Sequence, residues 1–258
     1  MTLSSTTVDV KGRSTEVQSG GHGQTLVFLH GGGIIEGFDC LEPLTERFRV
    51  LAPLRPGYGA TELDPALNGR DEEAGNVRGV LDALGIERTA LVGHSLGGWL
   101  AATVAARFPD RVSALVLGAP WGLDVPEHRG ADMSSMSPPE IAATLTNDPS
   151  IWEGRFPSGP DPAFEAARAR ERQALMRFMP GPHDAELPGI LPQISAPTLL
   201  LWGEDDQVNP VGHAPVWHTA IPQSSVRTFP GTGHLLFHER TDAVEAIGDF
   251  ADSYRSAT

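Results

Sequence analysis

Lysine is nearly missing from this chain of 258 residues: Lys11 is the only one, and the formal net charge is -14. With no cluster of basic residues to neutralise phosphates, nucleic acid and anionic membrane surfaces are excluded as expected partners. Cysteine is equally scarce. Cys40 stands alone, so no intrachain disulfide framework is available, and a reduced, cytoplasmic location is the expectation. The opening Met1-Thr2-Leu3-Ser4-Ser5 carries neither a basic region nor a leader-length apolar stretch, and no later run approaches a membrane span. Internal repeats and low-complexity tracts are lacking too. What remains is a chain with 40% hydrophobic residues, long enough for one large α/β core with an insertion.

The most informative stretch is Thr89-Ala-Leu-Val-Gly-His-Ser-Leu-Gly-Gly-Trp-Leu100, a short apolar strand, a glycine-framed serine and a helix start in succession. Gly93-His94-Ser95-Leu96-Gly97 fits G-x-S-x-G, a turn that strains the serine backbone and exposes its hydroxyl. Glycine at 93 and 97 lets the turn close, and Leu96, Leu100, Val104 and Phe108 continue at helical spacing to Pro109. Upstream, Val8–Val10 and Ser14–Gln18 read as short strands and Thr25–Leu29 as a buried strand running into His30-Gly31-Gly32-Gly33. Bare amides in such a glycine run can approach an anionic oxygen closely. Phe48–Ala52 is a further strand, Arg70–Leu84 an amphipathic helix and Val112–Gly118 the strand after the elbow helix. Alternation of this kind predicts right-handed crossovers and a parallel sheet.

Between Leu123 and Ile194 the alternation lapses. Ser137-Pro-Pro-Glu140 is a capping box opening one helix, and Asp161-Pro162 opens another that carries Phe164, Leu175, Phe178 and Met179. The predicted organisation is therefore a core of residues 1–122 and 195–258 with a helical cap insertion at 123–194, seated over the strand ends. Strands resume at Pro197–Trp202 and Ser225–Phe229, and a helix from Thr241 to Tyr254 closes the pattern.

Cleavage of a carbonyl compound by serine needs a base, an acid that fixes the base's tautomer, and donors for the oxyanion. Ser95, one of the adjacent acids Glu204, Asp205 and Asp206, and His234 follow in that order, each just past a predicted strand. Together, His30-Gly-Gly-Gly, Gly93-His-Ser-Leu-Gly, Gly203-Glu-Asp-Asp with Pro210, and Gly233-His234 resemble the α/β-hydrolase superfamily, in its small cap-bearing members, over essentially the whole chain. That resemblance implies an α/β fold with a mostly parallel central sheet flanked by helices. It selects Asp206 as the acid and the backbone amides of Leu96 and Gly32 as oxyanion donors. One departure stands out: the loop after the Phe48 strand often begins with Asp in that family and here has Leu54. Serine at the elbow sets aside the dehalogenase-like and epoxide-hydrolase-like branches, which form their ester on Asp.

The expected activity is hydrolysis of a carboxylic ester or lactone of an apolar or aromatic small molecule, without metal or organic cofactor. Carbon–carbon bond hydrolysis of a diketone-type ring-fission product and a hydrolase-like small-ligand receptor are the alternatives. Ile34, Phe38, Trp121, Met133, Trp152 and Leu235 are the candidate pocket walls. A small-molecule substrate is the expected partner, with a homodimer left open. His234-Leu-Leu-Phe-His238 has the i, i+4 spacing of a metal-binding pair but lacks the internal Glu of H-E-x-x-H.

Overall fold

Continuous apolar runs that are buried along their whole length form the middle of the structure. In the computed structural model, which describes residues 2–254, these are β5 (Thr89–His94), β6 (Val112–Gly118) and β7 (Thr198–Gly203). Met1, the first residue of the stretch inspected for a leader, lies outside the described residues. Burial on both faces is what parallel strands covered by helices require. β1 (Ser4–Val10), β2 (Arg13–Gly20), β3 (Thr25–Leu29), β4 (Arg49–Pro53) and β8 (Ser224–Phe229) complete one sheet among the described residues, in the order β1-β2-β4-β3-β5-β6-β7-β8. β1, β2 and β4 pair antiparallel; from β4 through β8 every pairing is parallel. The outermost strands are largely exposed and rich in Ser and Thr, which suits an unpaired edge.

The helices are α1 (Arg70–Ala83), α2 (Leu96–Arg107), α3 (Pro138–Leu145), α4 (Pro162–Phe178), α5 (Leu187–Ile190), α6 (Ala214–Ala220), α7 (Leu236–Glu239) and α8 (Thr241–Ser253). From β3 the chain steps outward to β4, then α1 carries it back across to β5 on the other side of β3. The order reverses there, so a crevice opens beyond the ends of β3 and β5, where open α/β sheets bind ligands. His30 and Ser95 follow those two strands directly.

The helical stretch between β6 and β7 follows its capping signals. Ser137 and Glu140 form the reciprocal capping box of α3, and the Asp161 carboxylate accepts from the amides of Ala163 and Phe164 at the start of α4. Of the stripe expected on α4, Phe178 is buried and Leu175 partly so, while half-buried Phe164 packs edge-on to Phe156. Leu54 joins Tyr58, Ala174 and Phe178 in a small apolar cluster. Packing against α4 thus organises the loop after β4, in place of an Asp. Asp39–Glu46, a stretch to which the sequence pattern assigned no element, forms a 3-10 helix despite Pro43, because Leu41 and Leu44 bury into the main core.

Close packing of α2 on the sheet depends on one missing atom. A Cβ on Gly97 would lie 2.0 Å from the Leu29 carbonyl oxygen and 2.5 Å from that of His30. Backbone cannot yield as a side chain would, so Gly97→Ala is expected to cost at least about 3 kcal/mol, the upper end of overpacking. Gly75→Ala meets nothing within 4 Å inside α1 and should be neutral or stabilising by up to about 1 kcal/mol. Urea midpoints of the two variants check the pair; an unchanged midpoint for Gly97→Ala contradicts this packing.

Candidate active site

Ser95 sits between β5 and α2 with φ 53° and ψ -118°, a left-handed conformation that costs a non-glycine residue roughly 1–3 kcal/mol. Hydrogen bonds hold it there. Its amide donates to the Gly118 carbonyl at 2.8 Å, and its own carbonyl accepts from Gly98 at 2.9 Å and Trp121 at 3.0 Å. Leu96 is the first residue of α2, so its amide has no acceptor within the helix. The His30–Gly32 turn lies alongside: a Cβ on Gly31 would come 3.4 Å from that of Ser95.

Of the three adjacent acids, one meets the histidine. Asp206 Oδ2 is 2.7 Å from His234 Nδ1, and Asp206 Oδ1 accepts from the amides of Val208 at 2.8 Å and Asn209 at 2.9 Å. Asp205 instead accepts from the Asn147 side chain and Glu204 from the Thr228 hydroxyl. Since Asp206 accepts, His234 carries a proton on Nδ1, and in that neutral tautomer Nε2 is the accepting nitrogen. Gly203 allows the two loops to meet, because a Cβ there would sit 2.3 Å from the carbonyls of both Thr232 and Gly233. The end of α3 grips the same loops: the Leu235 amide donates to the Leu145 carbonyl at 3.0 Å, and Asn147 Nδ2 reaches Asp205.

Two further histidines frame the site. His94, the variable residue before Ser95, donates from Nε2 to the His234 carbonyl at 2.8 Å, its ring 4.8 Å from that of His234. Burial, and the adjacent His234, push its pKa well below the ordinary 6.5. His30 accepts the Arg55 amide on Nε2 at 3.0 Å and so donates from Nδ1 to the Gly31 carbonyl, also at 3.0 Å. Burial first, then the Arg55 charge, lower its pKa to about 3. Arg55 itself pairs with Glu73, with Nε–Oε1 at 2.5 Å and Nη2–Oε2 at 3.0 Å, and both side chains are almost fully buried. None of Arg55, Tyr58 and Glu73 was singled out from sequence. A signal existed: Glu73 lies on the apolar face of α1 with Val77, Val80 and Leu84, an odd place for an unpartnered carboxylate.

The expected pocket walls divide. Phe38 and Leu235 line a cavity of about 10 Å³ together with His94, Gly31 and His238. Trp121 packs edge-on to Trp99 next to the elbow, and Ile34 packs against the Leu54–Tyr58 cluster. Trp152 belongs to the insertion's own packing, donating to the Ala142 carbonyl at 3.2 Å and resting on Phe156. Half-buried Met133 begins a short 3-10 turn just after Ala131, whose amide donates to Gln207 in the Asp206 loop. His234 and His238 share no helix face, because α7 begins only at Leu236 and His234 is turned to Asp206.

A mostly parallel sheet with a strained serine elbow, a glycine turn beside it and an Asp–His pair from later strand ends defines an α/β-hydrolase. Residues 26–247 match the alpha/beta hydrolase family, and the chain belongs to that family. A 2-hydroxymuconate semialdehyde hydrolase from Pseudomonas sp. (strain CF600) is 30% identical over 260 residues, covering 93% of this chain and 90% of its own length. A 2-hydroxy-6-oxo-6-phenylhexa-2,4-dienoate hydrolase from Burkholderia cepacia is 26% identical over 282 residues, covering 93% of each chain. Among solved structures, a bacterial membrane phospholipase A matches with a TM-score of 0.82 at 28% identity, covering 99% of this chain and 87% of that one. The chain is a hydrolase enzyme; no described helix is long and apolar enough to cross a membrane.

The lowered pKa of His94 makes stability depend on pH with a defined sign. Below 6.5 the unfolded chain protonates this residue while the folded chain does not, so folding loses free energy as pH falls. Glu171, raised to about 7 chiefly by burial, acts in the opposite direction, so wild-type stability alone is a blurred readout. His94→Gln isolates the effect. The stability gap between wild type and variant should narrow by roughly 1 kcal/mol per pH unit between pH 6 and 5 in urea titrations. A gap that stays constant contradicts a neutral buried His94.

Proposed function

We propose that the protein is a serine hydrolase that cleaves a carboxylic ester or lactone of an apolar or aromatic small molecule through an acyl-enzyme on Ser95. The 2.7 Å contact between Asp206 and His234, at the sheet edge that carries the strained Ser95, is the observation that supports this most. His234 Nε2 takes the Ser95 proton as Oγ attacks the carbonyl, and Asp206 steadies the imidazolium. The oxyanion is received by the amides of Leu96 and Gly32, each worth about 3 kcal/mol of barrier. Collapse gives the leaving group the proton from His234, and water, activated by the same imidazole, releases the acyl group. Residues 123–194 act as the cap, with Ile34, Phe38, Trp121 and Leu235 as apolar walls.

A second reading draws on the relatives. The Burkholderia cepacia enzyme is named for a 6-oxo-6-phenyl dienoate, a compound whose 6-carbonyl is a ketone. Hydrolysis at a ketone breaks a carbon–carbon bond, and the same Ser95, His234 and Asp206 would serve. Turnover of an aryl-ester and lactone panel, set against a 6-oxo-dienoate followed by product mass, separates the two. Preference for the dienoate by orders of magnitude in kcat/KM overturns the ester assignment.

Ser95→Ala should lower kcat by at least about 10⁴-fold while leaving the melting temperature near wild type. Mass mapping of a phosphonate adduct to Ser95 in the wild type completes that test, and retained activity or an adduct elsewhere rejects the role. Asp206→Asn should cost roughly 10³–10⁴-fold in kcat, whereas Asp205→Asn should stay close to wild type. Steady-state kinetics showing the reverse order relocate the acid.

A further inference from the structure

The Gly31–Gly32 peptide has no side chains to fix its orientation, and glycine rotates through conformations closed to other residues. Its direction nonetheless decides whether an amide or a carbonyl meets the reacting oxygen, since the two ends of a trans peptide point opposite ways. The structure supplies the missing restraint from behind. The Gly31 carbonyl accepts from His30 Nδ1 at 3.0 Å and from Arg55 Nη1 at 3.4 Å, and the next carbonyl, that of Gly32, accepts from the Tyr58 hydroxyl at 3.1 Å. Both carbonyls are thus drawn toward buried Arg55 and Tyr58. The amides of the same peptides are turned the other way, where Gly32 is exposed and a Cβ on it would meet only Leu175, at 3.8 Å.

Arg55 and Tyr58 are themselves constrained. Glu73 grips the guanidinium at two points, the Arg55 amide fixes the His30 tautomer, and Tyr58 packs at 4.7 Å against the His30 ring and 5.7 Å from the guanidinium carbon. Every donor in this frame ends on a carbonyl of the glycine turn or on a group that aims such a donor. We propose that Arg55, Glu73 and Tyr58 are positioning residues that preset the Gly31–Gly32 peptide with its amide toward the oxyanion. All three side chains are buried. The inference rests on the serine-hydrolase reading above and adds to it the source of the hole's rigidity.

A boronic acid tests it, because on attack by serine it forms a tetrahedral adduct with an oxygen in the position of the oxyanion. Removing Arg55 alone would strand a buried carboxylate, so the paired variant Arg55→Met/Glu73→Leu avoids an unpaired charge. That variant should lose about 100-fold in kcat, with KM little changed and boronate affinity reduced by the same factor, as for loss of one donor. Tyr58→Phe, which removes a single hydroxyl and keeps the ring against His30, should lose about tenfold in both and serves if the paired variant does not fold. Folded variants that bind boronate as tightly as wild type, or that raise KM while sparing kcat, overturn the proposal. Wild type binding boronate no better than Ser95→Ala overturns the serine reading and this inference with it.

Discussion

The distance between the first turn of α2 and the end of β3 governs the rest of the structure. At Gly97 the helix backbone lies so near the carbonyls of Leu29 and His30 that no side chain can intervene. This contact sets the elbow next to the glycine turn, and with it the Leu96 amide beside the His30–Gly32 segment. Ser95 is then obliged to adopt a positive φ, and the bonds from its peptide groups to Gly118, Gly98 and Trp121 offset the strain. A looser packing would relax the serine and separate the two amide-bearing turns together.

Behind that contact lies a polar layer inside an apolar core. His30 and His94 are held neutral by burial, and the buried charge pair of Arg55 with Glu73 is joined at two points. Neutral imidazoles act as one-way connectors, accepting on one nitrogen and donating on the other. His30 passes from the Arg55 amide to the Gly31 carbonyl, and His94 donates to the His234 carbonyl. The low dielectric that makes an unmatched polar group costly here also stiffens the matched ones.

Much of this was legible in the chain. Thr25–Leu29 and Val112–Gly118 appear as strands with the bounds expected, because short, largely apolar runs between turn residues leave little choice. The elbow was legible because its glycines have a steric reason to be there. Asp206 was separable from Asp205 only by resemblance; in the structure the distinction comes from Val208 and Asn209 amides and the Gly203 approach, which are contacts between loops remote in sequence. Arg55 and Glu73 stand 18 residues apart in unlike surroundings, and nothing local ties them together. The 3-10 helix at Asp39–Glu46 was hidden by Pro43, since tertiary burial of Leu41 and Leu44 outweighs the local signal.

The hold of α3 on the histidine loop, through the Leu145 carbonyl to the Leu235 amide, and of Asn147 just beyond it on Asp205, makes this helix mechanically continuous with the loops that carry Asp206 and His234. Any displacement of α3 pulls on Leu235, the residue next to His234. On the serine-hydrolase reading proposed above, guest size and proton-transfer alignment are therefore coupled quantities: a guest that loosens α3 also detunes the imidazole.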